Sequence, residues 1–139
     1  MPAGEMAATR PKPRLDAENS AFWTGGAHGR LQIMRCGDCS SYIHPPRAVC
    51  RTCLSDNVKP EAVPGTGVID TFTINYQKWH PAMKVPFVIA RVALDGAPGV
   101  YLTTNIIGCS VDAVDIGDRV RVTFESQGAI HFPLFEKIV

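Results

Sequence analysis

No apolar run in this sequence approaches the roughly 20 residues that a membrane-spanning helix requires, so no such span is expected. The first residues lack the apolar core of a secretory signal, which points to a reduced, cytoplasmic setting. An excess of one charge is missing as well: 14 Lys and Arg stand against 13 Asp and Glu, a net +1. Residues 1–60 hold eight basic and five acidic side chains, a net +3, and residues 61–139 hold six and eight, a net −2. Chains that live on phosphate backbones are more basic than this. The usual catalytic signatures are absent too. There is no G-x-x-x-x-G-K phosphate loop, no H-E-x-x-H helix and no defensible Ser/His/Asp grouping. A self-contained active site is therefore not expected. No internal repeat or low-complexity run is found either.

What the chain does have is a pair of cysteine pairs. Cys36-Gly37-Asp38-Cys39 is followed, ten residues on, by Cys50-Arg51-Thr52-Cys53. Two C-x-x-C turns at this separation present four thiolates to one ion. That donor set suits a closed structural Zn²⁺ site, with no position left open for chemistry. Iron in a rubredoxin-like site is the rival, because tetrahedral sulfur accepts either metal. Two disulfides fit poorly with a reduced compartment, and a catalytic dithiol needs one exposed pair rather than two facing ones. His44 lies near but finds four thiolates already in place. Cys109, the fifth cysteine, sits beside Gly108 with no His partner in sequence and reads as inert.

The order of elements follows from pattern. Residues 1–14, with three prolines and Arg10, Lys12 and Arg14, read as a flexible tail. Leu15 to Thr24 reads as a short helix with Asp16 as N-cap and Gly25-Gly26 as its stop. Phe22 and Trp23 are adjacent on it and point about 100° apart, so one of them is a candidate for docking a partner. Leu31 to Arg35 alternates like a strand into the first metal turn, Tyr42 to His44 leads out of it, and residues 54–65 read as a connection. Clean period-2 alternation then begins. Val68, Phe72, Ile74 and Tyr76 share a face with Asp70 interrupting. Val88 to Leu94, Val100 to Ile106, Val120 to Phe124 and Phe132 to Val139 give four more strands, with a helical turn near Val111 to Ile116. Five short strands in under eighty residues suggest a small closed barrel, which also leaves no exposed sheet edge. The expected fold is mainly β. A short helix and zinc ribbon occupy residues 15–60, and a five-stranded OB-fold barrel occupies residues 61–139.

Read together, several runs carry a resemblance. They are Phe22-Trp23, Gly29-Arg30-Leu31, Arg35 to Cys39, His44-Pro45-Pro46-Arg47, Cys50 to Cys53, Gly65 to Ile69, Pro86 to Ala90 and Ile116 to Val120. The chain resembles, over about residues 20–139, the acyl-CoA-associated zinc-ribbon/OB-fold family, long filed as a domain of unknown function. The resemblance implies a rubredoxin-like ribbon with all four metal cysteines kept. It also implies an accessory role beside a thiolase-like enzyme, such as the aldolases and thiolases of steroid and aromatic side-chain degradation. In that family the partner carries the nucleophile and acid/base groups, and two chains of each kind form the expected assembly. The ribbon/barrel subunit helps to form the acyl-CoA entrance.

On that footing, the loop from Gln77 to Val85 is a candidate contact for acyl-CoA or for the partner. Lys78, Trp79, His80 and Lys84 offer cations, an imidazole and a flat ring, and Arg47 and Arg51 of the ribbon could join them. The competing reading is a nucleic-acid module. Ribbons and OB barrels both serve there, and Phe72, Tyr76, Phe87 and Tyr101 could supply a stacking face. The −2 balance of the barrel half counts against it. An independent enzyme using Cys109 or His80 is the third reading.

Overall fold

The structure is a computed structural model describing residues 10–81 and 83–138. The N-terminal helix is shorter than its sequence pattern predicts. Helix α1 covers only Ser20–Thr24 and passes into a 3-10 turn, Gly25–His28. Asp16 does not cap that helix. Its carboxylate accepts the backbone N–H groups of Glu18 and Asn19 and so closes a separate turn one step earlier. The chain then leaves through Gly29, at φ +67, a conformation that costs glycine nothing.

Strand β1, Leu31–Cys36, is the centre of a three-stranded sheet. At its far end it pairs with the two-residue β2, Tyr42–Ile43, and along its whole length with β3, Val58–Val63. Strand β3 corrects the expectation of a plain connection over residues 54–65. Its residues are mostly exposed and do not alternate, and Pro60 has no N–H to donate. An edge strand tolerates both features, which is why the sequence pattern hid it.

The barrel runs β4-β5-β6-β8-β7 and closes β7 onto β4. Its strands are β4 (Thr66–Asn75), β5 (Phe87–Leu94), β6 (Tyr101–Ile107), β7 (Arg119–Gln127) and β8 (Ile130–Lys137). A 3-10 turn, Val111–Ala113, bridges β6 and β7. The β6–β8 seam is parallel and short, joining only Ile106 to Phe135 and Ile107 to Glu136. In β4 the register with β5 shifts between Ile69 and Thr71. That bulge absorbs Asp70 and switches the inward set, so Ile69 is fully buried before the shift and Phe72 and Ile74 pack on the core after it. Val68, expected on the core face, is only half-buried. Tyr76 lies beyond the strand and is exposed.

Ribbon and barrel share one core. Phe22, Leu31 and Ile33 belong to the same buried cluster as Ile69, Val92, Val120 and Phe135. A smaller cluster of Met34, Cys36, Ile43 and Cys50 lies under the metal turns, with Val58 against it. Trp23 packs on Phe132 of β8, ring centres 5.8 Å apart and nearly perpendicular.

Residues 1–9 of the expected tail lie outside the described residues, and Arg10 does not behave as a tail. Its guanidinium donates to Glu125 at 2.9 Å and to Asn105 at 3.1 Å, its carbonyl accepts from Gln127 at 2.9 Å, and it sits 5.3 Å above the Phe132 ring. One side chain thus ties β6 to β7 across β8. The fit of the 3-10 turn on the same strands is equally close. A Cβ added at Gly26 would collide with His131 and Phe124. Gly26→Ala should therefore lower the denaturation midpoint by an overpacking cost of about 1–3 kcal/mol. Gly29→Ala is the control for φ strain alone, since a Cβ there meets nothing within 4 Å.

Candidate metal centre and adjoining groove

Two turns of the same build carry the cysteines. In the first, Ser40 N–H donates to the Cys36 carbonyl at 3.0 Å and Cys36 N–H to the Ser41 carbonyl at 2.8 Å. In the second, Leu54 N–H donates to the Cys50 carbonyl and Cys50 N–H to the Ser55 carbonyl, both at 2.9 Å. Ser40 and Leu54 hold equivalent places and share positive φ, +66° and +64°. Sequence reasoning missed both, because neither is the glycine or asparagine that signals a left-handed residue. Gly37 has a reason different from the usual turn argument. A Cβ there would collide with the Asn57 side chain, and Gly37 N–H donates to the Asn57 carbonyl at 2.8 Å. Asp38 joins the turns by accepting from Ser55 Oγ and Asn57 Nδ2, and the Ser55 hydroxyl, then Asn57, holds its pKa below the usual value.

The four sulfurs all lie within 4.8 Å of one another. Cys36 Sγ is 3.6 Å from Cys53 Sγ, and Cys39 Sγ is 3.5 Å from Cys50 Sγ. A tetrahedral Zn²⁺ with bonds of about 2.3 Å needs sulfur separations of about 3.8 Å, so the set fits that ion. Backbone N–H groups approach two sulfurs, Cys39 N to Cys36 Sγ at 3.5 Å and Thr52 N to Cys50 Sγ at 3.4 Å. Cys36 and Cys50 are buried, and Cys39 and Cys53 face outward. The thiols do not ionise alike. Hydrogen bonds from Ser41 pull Cys39 down to about 6. At Cys53 the Ser55 N–H acts downward, but burial and the neighbouring sulfurs outweigh it and push the thiol up to about 12. A divalent ion replaces the protons that such a cluster would otherwise keep, so binding releases protons. With all four positions filled by protein, the centre can hold structure and leaves no site for a substrate.

Beside the ribbon runs a groove of about 720 Å³. One wall is α1 with Phe22 and Trp23, the second is the His44 to Arg47 segment, and the third is made by β6 and β8 where their pairing stops. The His44 ring lies 5.0 Å from Phe22, burial lowers its pKa, and its buried Nδ1 has no hydrogen-bond partner among the described residues. It belongs to the groove and not to the sulfur cluster.

The other candidate residues fall in three places. Phe22 is buried in the shared core, while Trp23 is half-buried in the groove wall. Arg47 lines the groove, and Arg51 is exposed inside the second cysteine turn. Lys78, Trp79, His80 and Lys84 are exposed on the β4–β5 loop and line neither this groove nor a smaller one beside Cys109. Cys109 is exposed and shares that smaller groove with Arg121 and Lys137. Of the four aromatics that could have formed a stacking face, Phe72 and Phe87 are half-buried, and Tyr101 carries Arg91 over its ring at 3.8 Å. No helix among the described residues is long and apolar enough to cross a membrane.

A four-cysteine ribbon built onto a closed five-stranded barrel defines a zinc-ribbon/OB-fold protein. Two family models match it in tandem: the rubredoxin-like zinc ribbon domain of ChsH2 over residues 23–59 and the ChsH2 C-terminal OB-fold domain over residues 60–125. The chain belongs to the zinc-ribbon/OB-fold family that these models describe. It superposes on a chain of the Ltp2-ChsH2(DUF35) aldolase with a TM-score of 0.82 and 29% identity, covering 92% of this chain and 100% of that one. It is 31% identical over 133 residues to a probable enoyl-CoA hydratase alpha subunit of Thermomonospora curvata, covering 95% of this chain. It is 30% identical over 113 residues, 81% of this chain, to the 3-oxo-4,17-pregnadiene-20-carboxyl-CoA hydratase alpha subunit of Mycobacterium tuberculosis. The chain spans 41% and 35% of the length of those two relatives. A DUF35 domain-containing scaffold protein of Methanothermobacter thermautotrophicus is 27% identical over 92 residues, which are 65% of this chain and 68% of that one.

Proposed function

We propose that this chain is an accessory, non-catalytic subunit that docks on a thiolase-like enzyme and completes the entrance to its acyl-CoA site. The observation that carries this reading is the match to a chain of an aldolase assembly over that chain's full length. Relatives named as alpha subunits and as a scaffold support the same role. The chemistry of the chain agrees with it. Four cysteine sulfurs would enclose a metal, and among the described residues Cys109 has no hydrogen bond to a base. Zinc would hold the ribbon as a rigid docking element, with Cys36, Cys39, Cys50 and Cys53 as its ligands. The acyl-CoA contact is assigned to the groove, where Arg47 is the one cation of the candidate set that lines it. A guanidinium on that rim suits a phosphate or thioester oxygen.

The test is to tag the full chain in its own host, isolate it gently and identify by mass spectrometry what accompanies it. A thiolase-like protein in near-equal amount is the expected result, with a mass for two chains of each kind. A chain that emerges alone, or with nucleic acid that survives moderate salt, overturns the reading. In the assembled complex, Arg47→Ala should weaken acyl-CoA binding about tenfold while leaving assembly intact, as expected for loss of a charge-assisted contact. An unchanged affinity would remove Arg47 from the site.

A further inference from the structure

We infer that the β4–β5 loop is a docking knob for the enzyme subunit, and that it enters an apolar socket rimmed by carboxylates instead of holding the nucleotide of CoA. This rests on the accessory-subunit reading above. Three observations carry it: an exposed ring held in place, a position outside both grooves, and two lysines that take part in no ion pair among the described residues.

Trp79 is 74% exposed and Tyr76 67% exposed, although tryptophan is usually well covered in a folded domain. Packing does not hold the indole; hydrogen bonds do. Trp79 Nε1 donates to Asn75 Oδ1 at 2.9 Å, and Asn75 Nδ2 donates to the Gln77 carbonyl at 2.7 Å. The backbone adds Trp79 N–H to the Gln77 carbonyl at 3.1 Å and Met83 N–H to the His80 carbonyl at 2.9 Å. A large ring that is fixed in direction while standing in solvent has already lost the freedom that binding would otherwise remove.

The loop lies outside the grooves. None of the candidate side chains of this loop lines either groove described above. Nucleotides and cofactors bind in clefts that cover most of their surface. A protruding Trp with a neighbouring Tyr is instead the composition of a protein–protein hot spot, where the ring fills a pocket on the partner.

Charge decides the chemistry of that pocket. Between Thr71 and Leu94 there is no Asp or Glu. All three barrel arginines are matched to carboxylates: Arg91 to Asp70, Arg119 to Asp95 and Arg121 to Glu136. Lys78 and Lys84, both exposed, take part in none of the six ion pairs among the described residues. Among the described residues the loop therefore keeps unmatched positive charge before and after Trp79 in sequence. The complementary surface has an apolar centre and an acidic rim, as an enzyme subunit can offer and a polyphosphate ester cannot.

The test uses the tagged full chain with its co-isolated enzyme. Trp79→Ala should keep zinc content and melting midpoint and weaken the complex about tenfold or more, the range of hot-spot truncations. Lys78→Glu combined with Lys84→Glu should slow association and flatten its dependence on salt. Acyl-CoA affinity of whatever Trp79→Ala complex still forms should match wild type. Enzyme retained in full by Trp79→Ala overturns the inference and leaves the accessory reading standing. Enzyme retained but acyl-CoA affinity lost also overturns it, in favour of a nucleotide contact. A self-associated chain that Trp79→Ala dissociates overturns it in favour of a second copy. Wild-type chain that brings no enzyme overturns both readings together.

Discussion

Cys50→Ser should empty the metal site and unfold the ribbon while the barrel stays closed. Cys50 is fully buried, and around it the ribbon has only the small cluster of Met34, Cys36, Ile43 and Val58. Packing on that scale cannot offset the conformational entropy of the two cysteine turns, whereas a structural zinc contributes about 10–16 kcal/mol of binding that becomes folding energy. Serine keeps the shape of the side chain but is a poor ligand, so the effect isolates the metal bond. The barrel core is larger and does not pass through the sulfurs, and Leu31 and Ile33 keep the start of β1 anchored to it. Elemental analysis should therefore fall from one zinc per chain to nearly none. Hydrogen exchange should accelerate from residue 36 to residue 58 and remain slow in β5 and β8. Retained zinc, or a barrel that loses protection together with the ribbon, would show the assignment of stability to be wrong. Cys109→Ser is the matched control and should change neither readout.

The second large effect belongs to Phe135. It is 0% exposed and sits where β8 meets both neighbours, opposite Ile106 of β6 and Val122 of β7. Removing a buried ring costs about 3–5 kcal/mol, a large part of the roughly 5–15 kcal/mol that holds a domain folded. The cost should fall at the upper end here, because the short parallel seam gives the barrel few other contacts with which to close the cavity. Ile116, which is 66% exposed, sets the scale, since its replacement by alanine should change stability by no more than about 0.5 kcal/mol. Urea denaturation followed by tryptophan fluorescence and by far-UV circular dichroism measures both variants. A Phe135→Ala midpoint close to that of Ile116→Ala would mean that the core lies elsewhere.

Much of this architecture was legible because two strong periodicities carry it. The spacing of Cys36, Cys39, Cys50 and Cys53 defines a cluster by itself, and alternation in β5, β6 and β7 announces each strand and its inward face. The features that escaped share one property: they depend on partners distant in sequence. Strand β3 exists because β1 offers it an edge. Asp70 breaks the alternation of β4, and only the register against β5 reveals a bulge. Arg10 is unremarkable among prolines until Glu125 and Asn105 are brought beside it. The left-handed residues Ser40 and Leu54 are dictated by the closing of the turns around the four sulfurs and not by their own preferences. The groove was invisible for the same reason, since its walls come from the helix, the ribbon and two barrel strands. The loop holding Trp79 was legible in composition, but its place outside the grooves was not.

Strand β1 has one further consequence. Its first half packs into the shared core and its second half ends at a metal-ligand cysteine, so one continuous strand belongs to both packed clusters. Six residues of strand span roughly 20 Å. The ribbon is thus held at a set angle like the arm of a caliper, and a second protein gripped by both jaws would find their spacing already fixed.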